Sequence, residues 1–186
     1  MIHLPFDIEL MNGRGEPKTF HIRRAVPEDI DAVMALQQTI VDALPNKDVY
    51  ATYTYEESLD ALETDYCYMA TADDGKVAGY SVLIANTTPV VEKNYGHYFD
   101  YDEEHLARTA SLDLTMVPPE YRGYGLQRLF NKIRIGQAIE LITSGMWREL
   151  HSVTKPKYSA LIISVLSRAR FKEFPFPADR TDRSIH

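Results

Sequence analysis

Cysteine is almost absent. Cys67 is the single one in 186 residues, so no disulfide can form within the chain and the disulfide-stapled class of small folds is excluded. It sits in the apolar, strand-like run Tyr66-Cys67-Tyr68-Met69 and reads as a buried, inert thiol rather than a nucleophile. Long hydrophobic runs are lacking too. None approaches the ~20 residues needed to cross a bilayer, and the opening MIHLPFDIEL lacks the basic start and apolar stretch of a signal peptide. These absences set the expectation of a cytoplasmic location and no membrane partner. Positive charge is also in deficit. The net charge is −7, which argues against general nucleic-acid binding.

Several motifs are missing. There is no Gly-Lys-Ser/Thr phosphate loop, and Gly123-x-Gly125 is not completed into a dinucleotide fingerprint because Arg128 stands at the third position. Ser111 has no Gly-x-Ser-x-Gly elbow around it, so its nearness to His105 does not make a hydrolase. His97 and His105 are isolated, and no Cys/His spacing suggests a metal.

What is present is a globular composition, 45% apolar and 25% charged, in a length that fits one domain, residues 1–186. Charge is uneven. Residues 122–170 hold nine Lys or Arg against Glu140 and Glu149, a local balance of +7 that leaves −14 elsewhere. A basic half suits a polyphosphate and an acidic half suits a cation, although solvated faces would look the same.

The pattern begins with a hairpin over residues 6–24. Phe6, Ile8 and Leu10 alternate with polar residues, as do Phe20 and Ile22, around the turn sequence NGRGEP; residues 1–18 form an N-terminal extension pairing as a hairpin strand. Pro27-Glu-Asp opens a helix carrying Ile30, Val33, Met34, Leu36 and Gln37 at helical spacing. Thr54 and Glu57 make a capping box for a second helix with Leu59 and Leu62 inward. Strands are expected over 66–72 and 77–85, joined by the turn Asp73-Asp74-Gly75, the second of them central because both its faces are apolar. A long loop covers 86–105 and carries Tyr95, Tyr98, Phe99 and Tyr101 among Asp100, Asp102, Glu103 and Glu104. The strand LDLTMV follows, then a helix over 125–142, a strand near 150–153 and a helix over 158–169; residues 175–186 read as a frayed tail. The fold class is α/β, a mixed sheet with a helical crossover after its central strand.

The chemistry concentrates where LDLTMV meets its helix, at Pro118-Pro119-Glu120-Tyr121-Arg122-Gly123-Tyr124-Gly125-Leu126-Gln127. Two glycines permit positive φ and close backbone approach. The helix start directs free N–H groups and its positive dipole end at the same loop, a site suited to a pyrophosphate. Arg122, Arg128 and Lys132 add charge. On the strand itself, period-two alternation puts Ser111, Asp113, Thr115 and Val117 on one face and Leu112, Leu114 and Met116 on the other. Asp113 is a lone carboxylate in an apolar strand. It can be a base whose affinity for protons is raised by burial, or a structural hydrogen-bonding residue.

The string resembles the acetyl-coenzyme A-binding motif of the GNAT superfamily of N-acetyltransferases, Arg/Gln-x-x-Gly-x-Gly/Ala after a Val-x-Pro strand end. The matching residues are Val117, Pro119, Arg122 and Gly125, with Gln127 in the last place. The helix after Pro27 and the hairpin at Asp74-Gly75-Lys76-Val77-Ala78-Gly79 are similar to that family's first helix and middle hairpin, so the resemblance covers about 20–142. It implies a mostly antiparallel sheet splayed at the cofactor site and acetyl transfer to a primary amine on a small molecule or peptide. Main-chain groups of Met116 and Val117 would bind the pantetheine arm, and the amides of Arg122, Gly123, Tyr124, Gly125, Leu126 and Gln127 the pyrophosphate. Asp113 would be the base, acting directly or through a water, with no metal. The family's acid, a Tyr on the last helix, has Leu166 in its place here; Tyr158 is the nearest phenol. The aromatic, acidic loop would face the acceptor. A homodimer is compatible with this class. A CoA-binding sensor without turnover is the alternative.

Overall fold

The computed structural model describes residues 3–47, 50–85, 94–106, 109–143 and 163–164. The hairpin forms as β1 (Phe6–Met11) and β2 (Pro17–Arg24), antiparallel, with Ile8 opposite Phe20. Its turn is held by Asn12, whose Oδ1 accepts from the amides of Arg14 and Glu16, while Gly15 supplies the positive φ of 78°. The chain continues through a 3-10 turn at Pro27–Asp29 into α1 (Ile30–Asp42), then α2 (Tyr55–Thr64). The Thr54–Glu57 capping box closes in both directions at 2.9 and 3.1 Å. The entry to α1 is fixed by Asp29, which accepts two bonds of 2.7 Å from the Arg23 guanidinium and one from the Val26 amide. That arginine holds the Asp29 carboxyl below the usual carboxylate range.

Next come β3 (Tyr66–Ala72) and β4 (Val77–Ala85), a 3-10 turn at Tyr95–Phe99, the short α3 (Glu103–Leu106), β5 (Ala110–Met116), a 3-10 turn at Pro119–Tyr121, α4 (Leu126–Thr143) and β6 (Ile163–Ser164). The sheet order follows the chain from β1 to β6. Every pair is antiparallel except β5 with β6, which is parallel and touches only at Ala110 and Ser111. β4 lies between β3 and β5 and is buried through its interior, as an apolar run on both faces requires. The helix expected over 158–169 is contradicted at Ile163–Ser164, which pair as a strand. The run LIISV is apolar and β-branched, and so short a run has no period that separates helix from strand. The rest of that segment, the strand near 150–153 and the tail lie outside the described residues.

One core layer lies between the sheet and α4 and contains Phe20, Ile22, Tyr68, Leu83, Leu126, Phe130 and Ile133. The other lies under α1 and α2 and contains Val33, Leu36, Ile40, Leu62, Met69, Tyr80, Val82 and Met116. Phe130 is wholly buried, worth ~1.5–3 kcal/mol by burial alone. It seats on Gly79, where a Cβ would come within 2.8 Å of the ring, so this strand glycine is where α4 reaches the sheet. Cys67 is fully buried, donating to the Ala61 carbonyl and accepting from the Tyr80 hydroxyl, which accounts for it as a packed thiol. No helix among the described residues is long and apolar enough to cross a membrane.

The register corrects the face assignment on β5. Ser81 pairs with Thr115 but Leu83 pairs with Leu112, so two steps on β4 match three on β5. An extra residue near Asp113 makes a bulge, and a bulge reverses the alternation on either side of it. Leu112 therefore joins the α4 layer while Met116 joins the α1/α2 layer. Asp113 and Thr115, expected together, point to opposite sides: Asp113 meets Tyr53 of the α1/α2 layer, and Thr115 meets Arg134 of α4.

Candidate active site

The loop between β5 and α4 is built on the sheet. Tyr121 is buried, stands edge-on to Phe20, and donates its hydroxyl to the Asp74 carboxylate at 2.9 Å. Burial and that carboxylate both push the Tyr121 phenol above its ordinary range. Tyr124 packs edge-on against the same Phe20 ring. Lys18 ties the neighbouring turn through Asp73 at 2.9 Å. The β3–β4 turn thus braces the loop that the sequence singled out.

Within that loop Gly123 and Gly125 take φ of 87° and 83°, values that L side chains adopt only at a cost. The Arg122 amide is already used, donating to the Pro119 carbonyl. That removes it from the six amides expected to bind phosphate. The amides of Gly123, Tyr124, Gly125, Leu126 and Gln127 have no acceptor among the described residues, and α4's first recorded bond at this end runs from Leu129 to the Gly125 carbonyl. They border a cleft of about 790 Å³. Arg122, Arg128 and Lys132 supply its cations, and Val117, Ile8 and Leu10 give it an apolar wall. Such a site, with free amides at a helix start and cations around it, takes a polyphosphate next to an apolar group.

Val117 reaches the cleft wall, whereas Met116 does not line it; its side chain is buried in the α1/α2 layer. The Val117 carbonyl is approached by Arg122 Nε at 3.4 Å. Beyond Ser111, the edge of β5 away from β4 has no strand partner among the described residues.

Asp113 is 4% exposed. Its carboxylate accepts from the Tyr53 hydroxyl through Oδ2 and from the Tyr95 hydroxyl through Oδ1, the latter at 3.0 Å. Burial that would be costly for an unpaired charge is offset by these donors. Tyr53 is placed by Gln37, a buried amide on α1 that bonds both the Tyr53 carbonyl and the Tyr53 amide at 2.8 Å. Tyr95 comes from the loop expected to face the acceptor. In its described part, buried Asn94 accepts from the Gly96 amide and donates to the Leu106 carbonyl at 2.6 Å. Tyr95 and Tyr98 stack, as do Phe99 and Tyr101. His105 is exposed and pairs with Asp102, while Ser111 is fully buried.

Arg134 lies behind the bulge. Only 2% exposed, it donates to the carbonyls of Val82 and Leu114 at 2.9 and 3.0 Å and to Thr115 Oγ1 at 2.7 Å. The bulge takes Val82 and Leu114 out of regular pairing, and the guanidinium satisfies both. Burial holds Arg134 down to about 10, opposed by the Asp113 charge.

Two of these residues, Tyr53 and Arg134, are not singled out by the sequence, and Gln37 stands out there only as part of a helical stripe. Tyr53 directly precedes an N-cap, Gln37 is the polar residue in the apolar stripe of α1, and Arg134 stands between Ile133 and Ile135. Each was visible as a residue, but none could be placed without long-range pairing. Tyr158 lies outside the described residues.

No protein-family model matches the chain, and comparison with curated proteins finds no match. Solved structures do match. A GNAT-family acetyltransferase from Listeria monocytogenes 4b F2365 is similar over 81% of this chain and 95% of that one, at 14% identity and a TM-score of 0.53. A GNAT-like decarboxylase, GphF, in complex with isobutyryl-CoA matches 62% of this chain at 21% identity and a TM-score of 0.44. The loading GNATL domain of CurA from Lyngbya majuscula matches 63% at 13% identity and 0.45. The alignment spans 57% of the length of each of these last two. At 14% identity the likeness to the Listeria structure establishes the fold alone.

Proposed function

From a chain with the GNAT fold, we propose an N-acyltransferase that moves the acetyl group of acetyl-CoA to a primary amine by direct attack on the thioester. One observation carries the reading. The five amides from Gly123 to Gln127 are unpartnered among the described residues and open, at the start of α4, into a cleft with three cations. A diphosphate seated there would accept from the amides and meet the positive end of the α4 dipole. Arg122 and Lys132 would neutralise phosphate charge, and the 790 Å³ cleft has room for the nucleotide beside Ile8 and Leu10. The arm would leave past Val117 along β5, with main-chain groups of Met116 and Val117 within its course.

In the reaction the amine nitrogen adds to the thioester carbonyl, the C–S bond breaks with its electron pair passing to sulfur, and one N–H proton must be removed. Asp113 is the proposed base, three residues upstream of Met116. Tyr158 is the proposed acid for the departing thiolate. Asp100, Asp102 and Glu103 beside the aromatic loop favour a cationic acceptor, a small molecule or peptide.

Thiol release tests this. Purified protein with acetyl-CoA should liberate free CoA when offered a panel of amines, polyamines, amino acids and peptides, and Asp113→Asn should cut turnover ~100-fold or more with cofactor affinity kept. Binding without release across the panel would support the sensor reading instead, and absence of binding would remove both.

A further inference from the structure

A buried carboxylate that serves as a base must be reached by the proton it takes, and among the described residues the more exposed of its two phenol partners is Tyr95. Asp113 is enclosed at 4% exposure, and Tyr53, on its Oδ2, is buried at 8%. Tyr95, on Oδ1, is half-buried and belongs to the loop that carries the stacked rings and the acids. A phenol oxygen that donates one hydrogen bond still has lone pairs to accept another. Tyr95 can therefore receive a proton on its outer side while giving its own to Asp113.

Resting on the acyl-transfer reading above, we propose that Tyr95 is the residue that contacts the amine and relays its proton to Asp113. As the nitrogen bonds to the acyl carbon and the thiolate departs, the N–H proton moves to Tyr95 Oη and the Tyr95 proton moves to Asp113 Oδ1. The thiolate takes its proton from the acid of the reaction above, which solvent refills, and Asp113 returns its own to solvent through Tyr95. One amide and one thiol result, with no net change in protons on the protein. The two transfers are concerted, because a phenol oxygen takes a second proton only as it gives up its own. Tyr53 is a positioning residue: it donates to Asp113 Oδ2, while Tyr95 donates to Oδ1. Gln37 places Tyr53 by clasping its backbone at both carbonyl and amide.

The proposal separates two phenols that bond the same carboxylate. Steady-state turnover of acetyl-CoA with the best amine of the panel would be followed against pH for the wild type, Tyr95→Phe and Tyr53→Phe, with melting temperature and acetyl-CoA affinity measured for each. Tyr95→Phe should lower kcat about 100-fold at unchanged cofactor affinity. Tyr53→Phe should retain most of kcat but shift the acidic limb of the profile upward, because Asp113 loses a donor to its charged form. A Tyr95→Phe enzyme within threefold of wild type overturns the relay while leaving acyl transfer standing. A wild type with no thiol release from any amine removes both. Should Tyr95→Phe melt early, the wild-type rate in mixed H2O and D2O decides. A curved dependence on deuterium fraction, reporting two protons in flight, supports the relay, and a linear one overturns it.

Discussion

Gly125→Ala isolates what the loop backbone contributes to cofactor binding. At Gly125 φ is 83°, and a Cβ built there meets nothing within 4 Å. The substitution therefore brings no clash, only the ~1–2 kcal/mol of a left-handed L residue, which in a chain this size lowers Tm by about 2–8 °C. Gly15 is a matched control. It has φ of 78°, equally open space, and sits in the β1–β2 turn. The two alanine variants should thus melt alike. They should bind differently. Relief of strain at Gly125 would turn the adjoining amides away from the cleft, and a hydrogen bond to a charged oxygen is worth ~1.5–3 kcal/mol, about 10- to 100-fold in Kd. Calorimetric titration with acetyl-CoA reads this directly. Equal affinity of Gly125→Ala and Gly15→Ala would refute the reasoning, because it would mean the loop amides do not hold the ligand.

Three further outcomes follow from packing and charge. Gly79→Ala puts a Cβ 2.8 Å from the Phe130 ring and 3.1 Å from the Met116 carbonyl; overpacking of this kind costs ~1–3 kcal/mol, read by urea unfolding, and an unchanged midpoint would contradict the α4 seating. Arg134→Met leaves the Val82 and Leu114 carbonyls and Thr115 without their donor, at a cost of about 3–5 kcal/mol; a loss under ~1 kcal/mol would show that the bulge satisfies itself. Asp29→Asn weakens the Arg23 pair and the N-terminal anchor of α1. Because Arg23 lowers the folded-state value below the usual 3.8, its stabilisation is present above that value and disappears as pH falls through the lower, folded one. The gap between variant and wild-type stability, about 1–2 kcal/mol at pH 7, should therefore close in acid; a gap that persists at pH 2 would argue against the ion pair as its source.

Local chemistry was legible in the sequence wherever one stretch of chain determines the outcome. The Thr54 cap, the turns at Gly15 and Gly75, the amphipathic α4 and the glycine loop all depend on neighbours within a few residues. The site's second half depends on contacts far apart in the chain. Tyr53 and Asp113 are 60 residues apart, and Arg134 reaches back 52 to Val82. Strict alternation gives Asp113 the wrong face-mate because it assumes a regular strand, and a bulge carries no local signature. The loop sequence alone leaves the Arg122 amide free, whereas the 3-10 turn at Pro119–Tyr121 uses it. Residues 163–164 form a strand through pairing with β5, which an isolated apolar run does not announce.

Amide resonances offer the most direct view of the loop. With the backbone N–H signals of the chain assigned, CoA is titrated in, and pantetheine, which has the same arm but no diphosphate, is titrated separately. The account predicts that CoA shifts Gly123, Tyr124, Gly125, Leu126 and Gln127 strongly downfield while Arg122, bonded to Pro119, moves less, and that pantetheine leaves all six nearly unmoved. CoA that binds without disturbing those five amides, or that fails to bind, contradicts it.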